Sequence, residues 1–191
     1  TAYEMLRSLV GSEMCIRDSS MLAKIHEVRV GSVILAPGFD EFIPTIKSEY
    51  GYGRFKNVVT SIQFERILSA SGPYKGHIKR PGDGKHPRKI AWIQCVGSRD
   101  EQVGRPYCSS VCCMYATKEA VIAKEHAPDV EPTIFFMDMR SYGKEFDKYI
   151  ERAEKEIGVR FIRSRVAKID EDPETGNLWI KYETEDGKLE K

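Results

Sequence analysis

No stretch of this sequence stays apolar for the roughly 20 residues that a membrane-spanning helix needs. No charged-then-apolar leader marks it for secretion either. Net charge is almost absent: 30 Lys and Arg stand against 29 Asp and Glu, leaving +1. That balance provides no global field to draw nucleic acid or an anionic membrane, so neither is an expected partner. Histidine is scarce, at four residues, and His77, His86 and His126 lack ligand spacing, which points to solvated or structural roles. No Ser-His-Asp set or carboxylate pair stands out. Two patterns are missing altogether. Without Gly-x-Gly-x-x-Gly, a dinucleotide held on a glycine turn is not expected. Without Cys-x2-Cys, neither a zinc ribbon nor a thioredoxin-type redox pair is a good match.

What is present is concentrated in one place. Four of the five cysteines lie within nineteen positions, as Cys95-x12-Cys108-x3-Cys112-Cys113. The rest is ordinary for a globular domain, with 41% hydrophobic and 31% charged residues among 191. That length holds one good core or parts of two domains. With no secretory signal, the expected compartment is the reducing cytoplasm. Clustered cysteines there bind metal or do redox chemistry more often than they form structural disulfides.

The N-terminal stretch stands apart. Leu9-Val10-Gly11-Ser12-Glu13-Met14-Cys15-Ile16-Arg17-Asp18-Ser19 resembles the translated read-through of a sequencing adapter, so residues 1–20 are set aside as a non-native tail. The other reading is an amphipathic helix with Met5, Leu6, Leu9 and Val10 on one side. Cys15 is not counted as a ligand.

From His26 to Leu35, Val28, Val30, Val33, Ile34 and Leu35 flank a Gly31-Ser32 step, which predicts two short strands or a bent one. Ala36-Pro37-Gly38-Phe39 forces an exit. Thr60 caps a predicted helix over 61–70, with Gln63 at the reciprocal position. Residues 71–88, rich in Gly, Pro and basic side chains, read as a long crossover loop. A solvated surface is the default for Lys75, His77, Lys79, Arg80, Lys85 and Arg88; the alternative is docking of an acidic partner subunit.

Beyond it the pattern is β-α-β-α-β. Lys89–Val96 is nearly continuously apolar, as for a strand buried on both faces of a parallel sheet. A helix over about 109–126 presents the small stripe Cys113, Ala116, Ala120, Ala123 and Ala127. Residues 133–139 and 159–166 supply two more strands. Between them, a helix bearing Phe146, Tyr149, Ile150, Ala153 and Ile157 stops at Gly158. Residues 178–184, Asp186-Gly187 and Leu189 begin a C-terminal β-hairpin. The class is α/β with a parallel sheet, and the chain reads as a piece cut at both ends. In such sheets ligands gather at the carboxyl ends of strands, beside the next helix N-terminus. Cys95 sits at one such end, and the other three cysteines sit at that helix start.

Four readings of the cysteines are open: a zinc-stabilised interaction domain, a thiol–disulfide oxidoreductase using Cys112 and Cys113, plain burial, and an iron–sulfur cluster. Adjacent Cys112-Cys113 fits zinc knuckles poorly. A cubane offers four corners approachable from different backbone directions. If helical, Cys108 and Cys112 share a face, Cys113 turns about 100° from Cys112, and Cys95 approaches from the strand. A helix N-terminus also favours the cluster's negative charge. Physical chemistry favours the cluster without closing the other readings. Gly97 stands where a nucleotide-binding loop would need glycine, its plainer role being a turn. Asp138 is placed like a ribose-holding acid but is better suited to capping or to pairing with Arg140. Arg99 and Arg105 are placed to tune a cluster or to serve as surface charge.

At these residues the sequence resembles the A-type subunit of heterodisulfide reductase, an iron–sulfur flavoprotein family. The matching strings are Trp92-Ile93-Gln94-Cys95-Val96-Gly97-Ser98-Arg99-Asp100 and Tyr107-Cys108 through Cys112-Cys113-Met114-Tyr115-Ala116. Flanking matches are Ala36-Pro37-Gly38-Phe39, Tyr50-Gly51-Tyr52-Gly53-Arg54, Leu68-Ser69-Ala70-Ser71-Gly72-Pro73 and Met137-Asp138-Met139-Arg140. The likeness runs from about residue 24 onward. It implies a two-dinucleotide-binding-domain, Rossmann-like FAD/NAD(P) fold, with residues 21–87 ending the flavin domain plus a crossover. Residues 88–191 would then form a nucleotide-binding-like unit carrying a [4Fe-4S] cluster. The family's four ligands match Cys95, Cys108, Cys112 and Cys113, and Ala36, Pro37 and Gly38 match a segment beside the FAD. The implied function is oxidoreductase electron transfer between FAD and the cluster, and on to partner subunits and a hydrogenase, formate dehydrogenase or ferredoxin module. The family's flavin glycine turn and ferredoxin-like cysteine runs are not in this sequence, so this stretch alone is not expected to hold flavin tightly.

Overall fold

The computed structural model describes residues 25–184 and 187–190. The predicted tail over 1–20 lies outside them. Contacts divide the chain into two units, Thr1–Phe39 and Asp40–Lys191.

In the first unit, residues 25–39 form no helix or strand and are exposed throughout. The strands expected over 26–35 are therefore not formed. A strand is stable only when its N–H and C=O groups find a ladder, and none of these residues pairs with a described strand. Ala36, Pro37 and Gly38 lie in this exposed stretch.

The second unit begins with short 3-10 turns, Pro44–Ile46 and Ser48–Tyr50. Helix α1 follows, Ser61–Leu68. Its start is the predicted capping box: the Thr60 side chain accepts from Gln63 N, and the Gln63 side chain accepts from Thr60 N at 2.9 Å. Two of the helix's orphan donors are thereby satisfied.

Strands β1 (Lys89–Ile93), β2 (Glu131–Phe136) and β3 (Arg160–Arg163) form a parallel sheet in the order β1-β2-β3. Lys89 pairs with Glu131 and Trp92 with Ile134 on one side, and Thr133 with Arg160 on the other. Helix α2 (Cys112–His126) connects β1 to β2. Helix α3 (Phe146–Arg152), continued by a π turn Ala153–Ile157, connects β2 to β3 and ends at left-handed Gly158 as predicted.

The strand buried on both faces is β2, not β1. Strand β1 lies at an edge, with Lys89 and Ala91 exposed and Trp92 alone fully buried. On β2, Ile134 enters one core with Phe64, Leu68, Trp92, Ala116, Ala120 and Val159. Its neighbour Phe135 enters a second core with Tyr50, Val166 and Ile169. Period-two alternation on one central strand thus serves both.

The single strand expected over 159–166 is broken at Ser164-Arg165. Ser164 N closes the parallel ladder by donating to Phe136 O at 2.9 Å. Val166 then opens an antiparallel sheet of β4 (Val166–Glu171), β5 (Leu178–Glu183) and β6 (Leu189–Glu190). The predicted β5–β6 hairpin is present, with Glu183 opposite Leu189. Phe135 of one sheet meets Tyr182 of the other edge-to-face at 4.9 Å.

Arg80 in the crossover loop is a staple rather than a solvated charge. It donates to Asn177 Oδ1 at 2.7 Å and Thr175 O at 2.8 Å and pairs with Asp83. Asn57 joins the same seam through Gly176 O and Gly82 N.

Candidate metal centre

The chain leaves β1 through a turn that few residues accept. Gln94 N makes the last ladder bond, to Phe135 O at 3.0 Å. Cys95 then takes φ +61°, Gly97 +69° and Arg99 +56°. Left-handed backbone costs a non-glycine residue about 1–2 kcal/mol, and such strain gathers at functional sites. Among the described residues, three of the five non-glycine residues with positive φ, Cys95, Arg99 and Ser110, lie in this one turn and its return. Gly97 has a second constraint: a Cβ there would lie 2.2 Å from the Phe42 ring.

The return is pinned to the outgoing strand. Arg99 N donates to Tyr107 O at 2.8 Å, Ser98 Oγ donates to Tyr107 O, and Ser109 N donates to Ser98 Oγ. Asp100 and Arg105 form an isolated bridge. Asp100 is buried against Lys47 at 3.0 Å, with Arg165 at 3.7 Å. This ladder delivers Cys108 to Cys113 back beside Cys95. Cys108 belongs to the loop, since α2 begins only at Cys112. The shared helical face predicted for Cys108 and Cys112 is therefore replaced by loop geometry, fixed by the Ser98 and Tyr107 bonds.

All four cysteines are free thiols; Cys112 and Cys113 are buried, Cys95 and Cys108 half-buried. Cys112 is the centre of the group. Hydrogen bonds from Cys113 and then Cys95 hold its thiol far below the usual range, favouring the thiolate. The shared bond with Cys112, followed by burial, pushes Cys95 and Cys113 upward. Cys108 adds its charge to the influences raising Cys113. Backbone donors address two sulfurs: Ser110 N to Cys108 Sγ and Arg140 N to Cys113 Sγ, both at 3.3 Å.

Cations surround the group. Asp138, just past β2, receives Arg99 Nη2 at 2.8 Å and Arg163 Nη2 at 3.3 Å, with Arg140 at 3.8 Å. The Arg99 guanidinium is the main reason its carboxyl lies below the usual carboxylate range. The pairing of Asp138 with Arg140 holds, but Arg99 is the closer partner, and no local pattern in the sequence marks that pair. Arg105 stacks over Phe42 at 5.2 Å. His86 lies 3.1 Å from Asp129, and His126 Nδ1 3.1 Å from Gly76 O, both in structural roles.

A cavity of about 10 Å³, enough for about one water, is lined by Gln94, Cys95, Val96, Ser98, Arg99 and Asp100 on one side. Ser164, Arg165 and Val166 face them. Two buried donors in this lining, Gln94 Nε2 and Arg99 Nη1, have no acceptor. Among the described residues, no three His, Cys, Asp or Glu side chains are placed to share a single metal ion. A cubane takes its thiolates on separate irons. Four free thiols, N–H groups aimed at two sulfurs and unpaired buried donors beside a third fit such a group.

The described residues form an α/β unit with four free cysteines gathered on the turn from a parallel strand into a helix. No family model matches the chain. Curated relatives are specific, however. The chain is 51% identical over 157 residues to the A-type iron-sulfur subunit of the CoB--CoM heterodisulfide reductase of Methanocaldococcus jannaschii, covering 82% of this chain and 24% of that protein. It is 52% identical over 156 residues to the A-type subunit of the H(2)/formate:CoB-CoM heterodisulfide,ferredoxin reductase of Methanococcus maripaludis, again 82% and 24%. To the corresponding subunit of the ferredoxin/F(420)H(2)-dependent CoB-CoM heterodisulfide reductase of Methanosarcina acetivorans it is 41% identical over 157 residues, 82% and 20%. The chain is a relative of the A-type heterodisulfide reductase subunits, which are oxidoreductase components, and spans between a fifth and a quarter of the length of those proteins.

Proposed function

We propose that this chain is an electron-transfer segment of a heterodisulfide-reductase-type iron–sulfur flavoprotein. Cys95, Cys108, Cys112 and Cys113 would be the ligands of a [4Fe-4S] cluster. The observation carrying this reading is the gathering of Cys95, Cys112 and Cys113 into one hydrogen-bonded group, with Cys108 acting on it, where β1 turns into α2. The relatives' names, which specify ferredoxin-linked reductases and an iron-sulfur subunit, support it.

A cluster of this kind supplies one-electron transfer when bound. The chain's own residues set its surroundings. Ser110 N and Arg140 N donate to ligand sulfurs, the core under Trp92 and Ala116 excludes water on one side, and Asp138 gathers three arginines close by. No proton-transfer residue is needed at the centre. In the whole protein, a fold of two dinucleotide-binding domains, Ala36, Pro37 and Gly38 would lie beside FAD, and Gly97 would serve as the glycine of a cofactor-binding loop. Residues 21–87 close the flavin domain and 88–191 form the cluster-bearing unit. FAD and the cluster would supply electron transfer to partner subunits fed by hydrogenase, formate dehydrogenase or ferredoxin, in the cytoplasm.

The test is anaerobic purification of the full-length polypeptide, with assays for iron and acid-labile sulfide. Cys95→Ser should remove about one cubane's iron and sulfide from the total. Stoichiometric zinc with no sulfide at these cysteines would overturn the proposal in favour of a zinc-stabilised domain.

A further inference from the structure

We propose that Arg99, held in place by Asp138, is the charged donor that sets the reduction equilibrium at the Cys95 end of the centre, with Asp138 as its positioning residue. This deepens the reading above and rests on it.

Four observations meet at Arg99. Its backbone is left-handed at φ +56°, a conformation an arginine adopts at a cost unless the surroundings fix it. Its N–H is fixed on Tyr107 O at 2.8 Å, so the residue is locked between the outgoing and returning arms of the cysteine turn. Its Nη2 is anchored on Asp138 at 2.8 Å. The remaining Nη1 is buried with no acceptor, although it belongs to a permanent cation. A buried guanidinium N–H without a partner is costly and asks for an acceptor. The cavity that Arg99 lines is shared with Cys95 and with Gln94, whose Nε2 is also buried and unpartnered.

Asp138 makes this more than a surface ion pair. It is the shared partner of Arg99, Arg140 and Arg163, so one carboxylate faces three guanidinium groups and the patch keeps excess positive charge. Its carbonyl lies 3.9 Å from Cys113 Sγ, and Arg140 N donates to that same sulfur. Asp138 therefore anchors the Arg99 guanidinium beside Cys95 while its own backbone carbonyl lies beside the Cys113 sulfur. One-electron reduction adds one negative charge at the centre. A fixed cation and a free N–H stabilise that added charge more than the oxidised state. In the assay the electron comes from dithionite, which is oxidised as the centre is reduced. Lysine keeps the charge but not the planar fork, so it separates charge from hydrogen-bond geometry.

The experiment is a potentiometric titration with electron paramagnetic resonance detection on the anaerobically purified full-length protein. It compares wild type, Arg99→Gln, Arg99→Lys and Cys95→Ser. Cys95→Ser identifies the signal belonging to this centre. With that signal assigned, Arg99→Gln is expected to keep iron and sulfide content but to disfavour reduction about tenfold. That is a midpoint lower by about 59 mV for a one-electron couple. Arg99→Lys should recover at least half of the shift. If Cys95→Ser leaves every signal intact, the ligand assignment itself fails. If the Cys95-dependent signal titrates at the wild-type midpoint in Arg99→Gln, the tuning role alone is overturned. Equal loss of cluster content in the Gln and Lys variants, with no midpoint shift in the fraction retained, would also overturn it by showing a purely structural arginine.

Discussion

Glu119 is a buried acid at the junction of three elements. Its Oε1 accepts from Ser61 of α1, and its Oε2 from the Trp92 indole of β1 at 2.9 Å. Burial pushes its carboxyl up to about 7 from 4.5, with Glu65 raising it further and the Ser61 and Trp92 bonds and Lys118 pulling it down. The folded state therefore holds a proton that the unfolded state releases. The stabilisation is complete below about pH 4.5 and is lost as pH rises through about 7. The full swing is on the order of 3 kcal/mol. Glu119→Gln can still accept from the Trp92 indole while its amide N–H donates to Ser61 Oγ, and it should flatten the stability–pH curve between pH 5 and 8, as read by urea melts across that range. A parallel slope in both proteins would refute this. A second residue-scale outcome concerns Gly97. Gly97→Ala meets both a positive φ and the Phe42 ring, so a loss of about 2 kcal/mol or more is expected. Phe42→Ala should relieve part of the loss in the double variant but not the backbone part, a pattern that a double-mutant cycle resolves.

At the level of elements, α1 depends on its first turn. Thr60→Ala removes the side-chain half of the capping box and should cost about 1 kcal/mol in thermal or denaturant melts. Gln63→Ala should cost less, because its backbone N–H still reaches Thr60. Helix α2 is close-packed along its small stripe, with Cys113, Ala116, Ala120 and Ala123 all buried. Ala120→Leu should cost roughly 1–3 kcal/mol by overpacking, whereas exposed Lys118→Leu should be near neutral. Equal melting temperatures for the two variants would contradict the packing described. The stripe and both caps were readable because spacing at 3.6 residues and a Thr-x-x-Gln pair are local signals. The edge position of β1 was not, because an apolar run does not say how many neighbours a strand has. Nor was the break at Ser164-Arg165, where two strands of different sheets follow one another with no change in pattern. Glu119 left a trace, as the one charged residue seven positions after Cys112, on the same face of a helix otherwise lined with small residues. The cysteine turn was legible as a spacing. Its left-handed residues and the Asp138 hub arise from contacts across 39 positions and leave no local mark.

Across the whole molecule, the site lies where the parallel sheet hands over to the antiparallel one. The cavity beside Cys95 has the end of β1 and the cysteine turn on one wall and Ser164-Arg165-Val166 on the other. Phe135, Val166, Ile169 and Tyr182 form the core under that junction. Losing the antiparallel sheet should therefore disturb the cysteine turn. Ile169→Ala, about 2–5 kcal/mol destabilising for a buried aliphatic, should weaken cluster retention. Ile62→Ala, at an exposed site on α1, should not. Iron content per polypeptide after anaerobic purification distinguishes the two.

Trp92 draws several of these features together. It is one of two tryptophans in the sequence, buried where Trp179 is 43% exposed. Phe64 meets its ring edge-on at 5.4 Å, its N–H is on Glu119, and Cys95 follows three residues later. The chain therefore contains its own optical label. Blue-shifted emission from Trp92 should report both the ionisation of Glu119 and, through quenching by a nearby visible-light-absorbing centre, the occupancy of the turn. The redder emission of Trp179 serves as an internal reference. Loading of the site and the charge state beneath it can then be followed in a cuvette without any added dye.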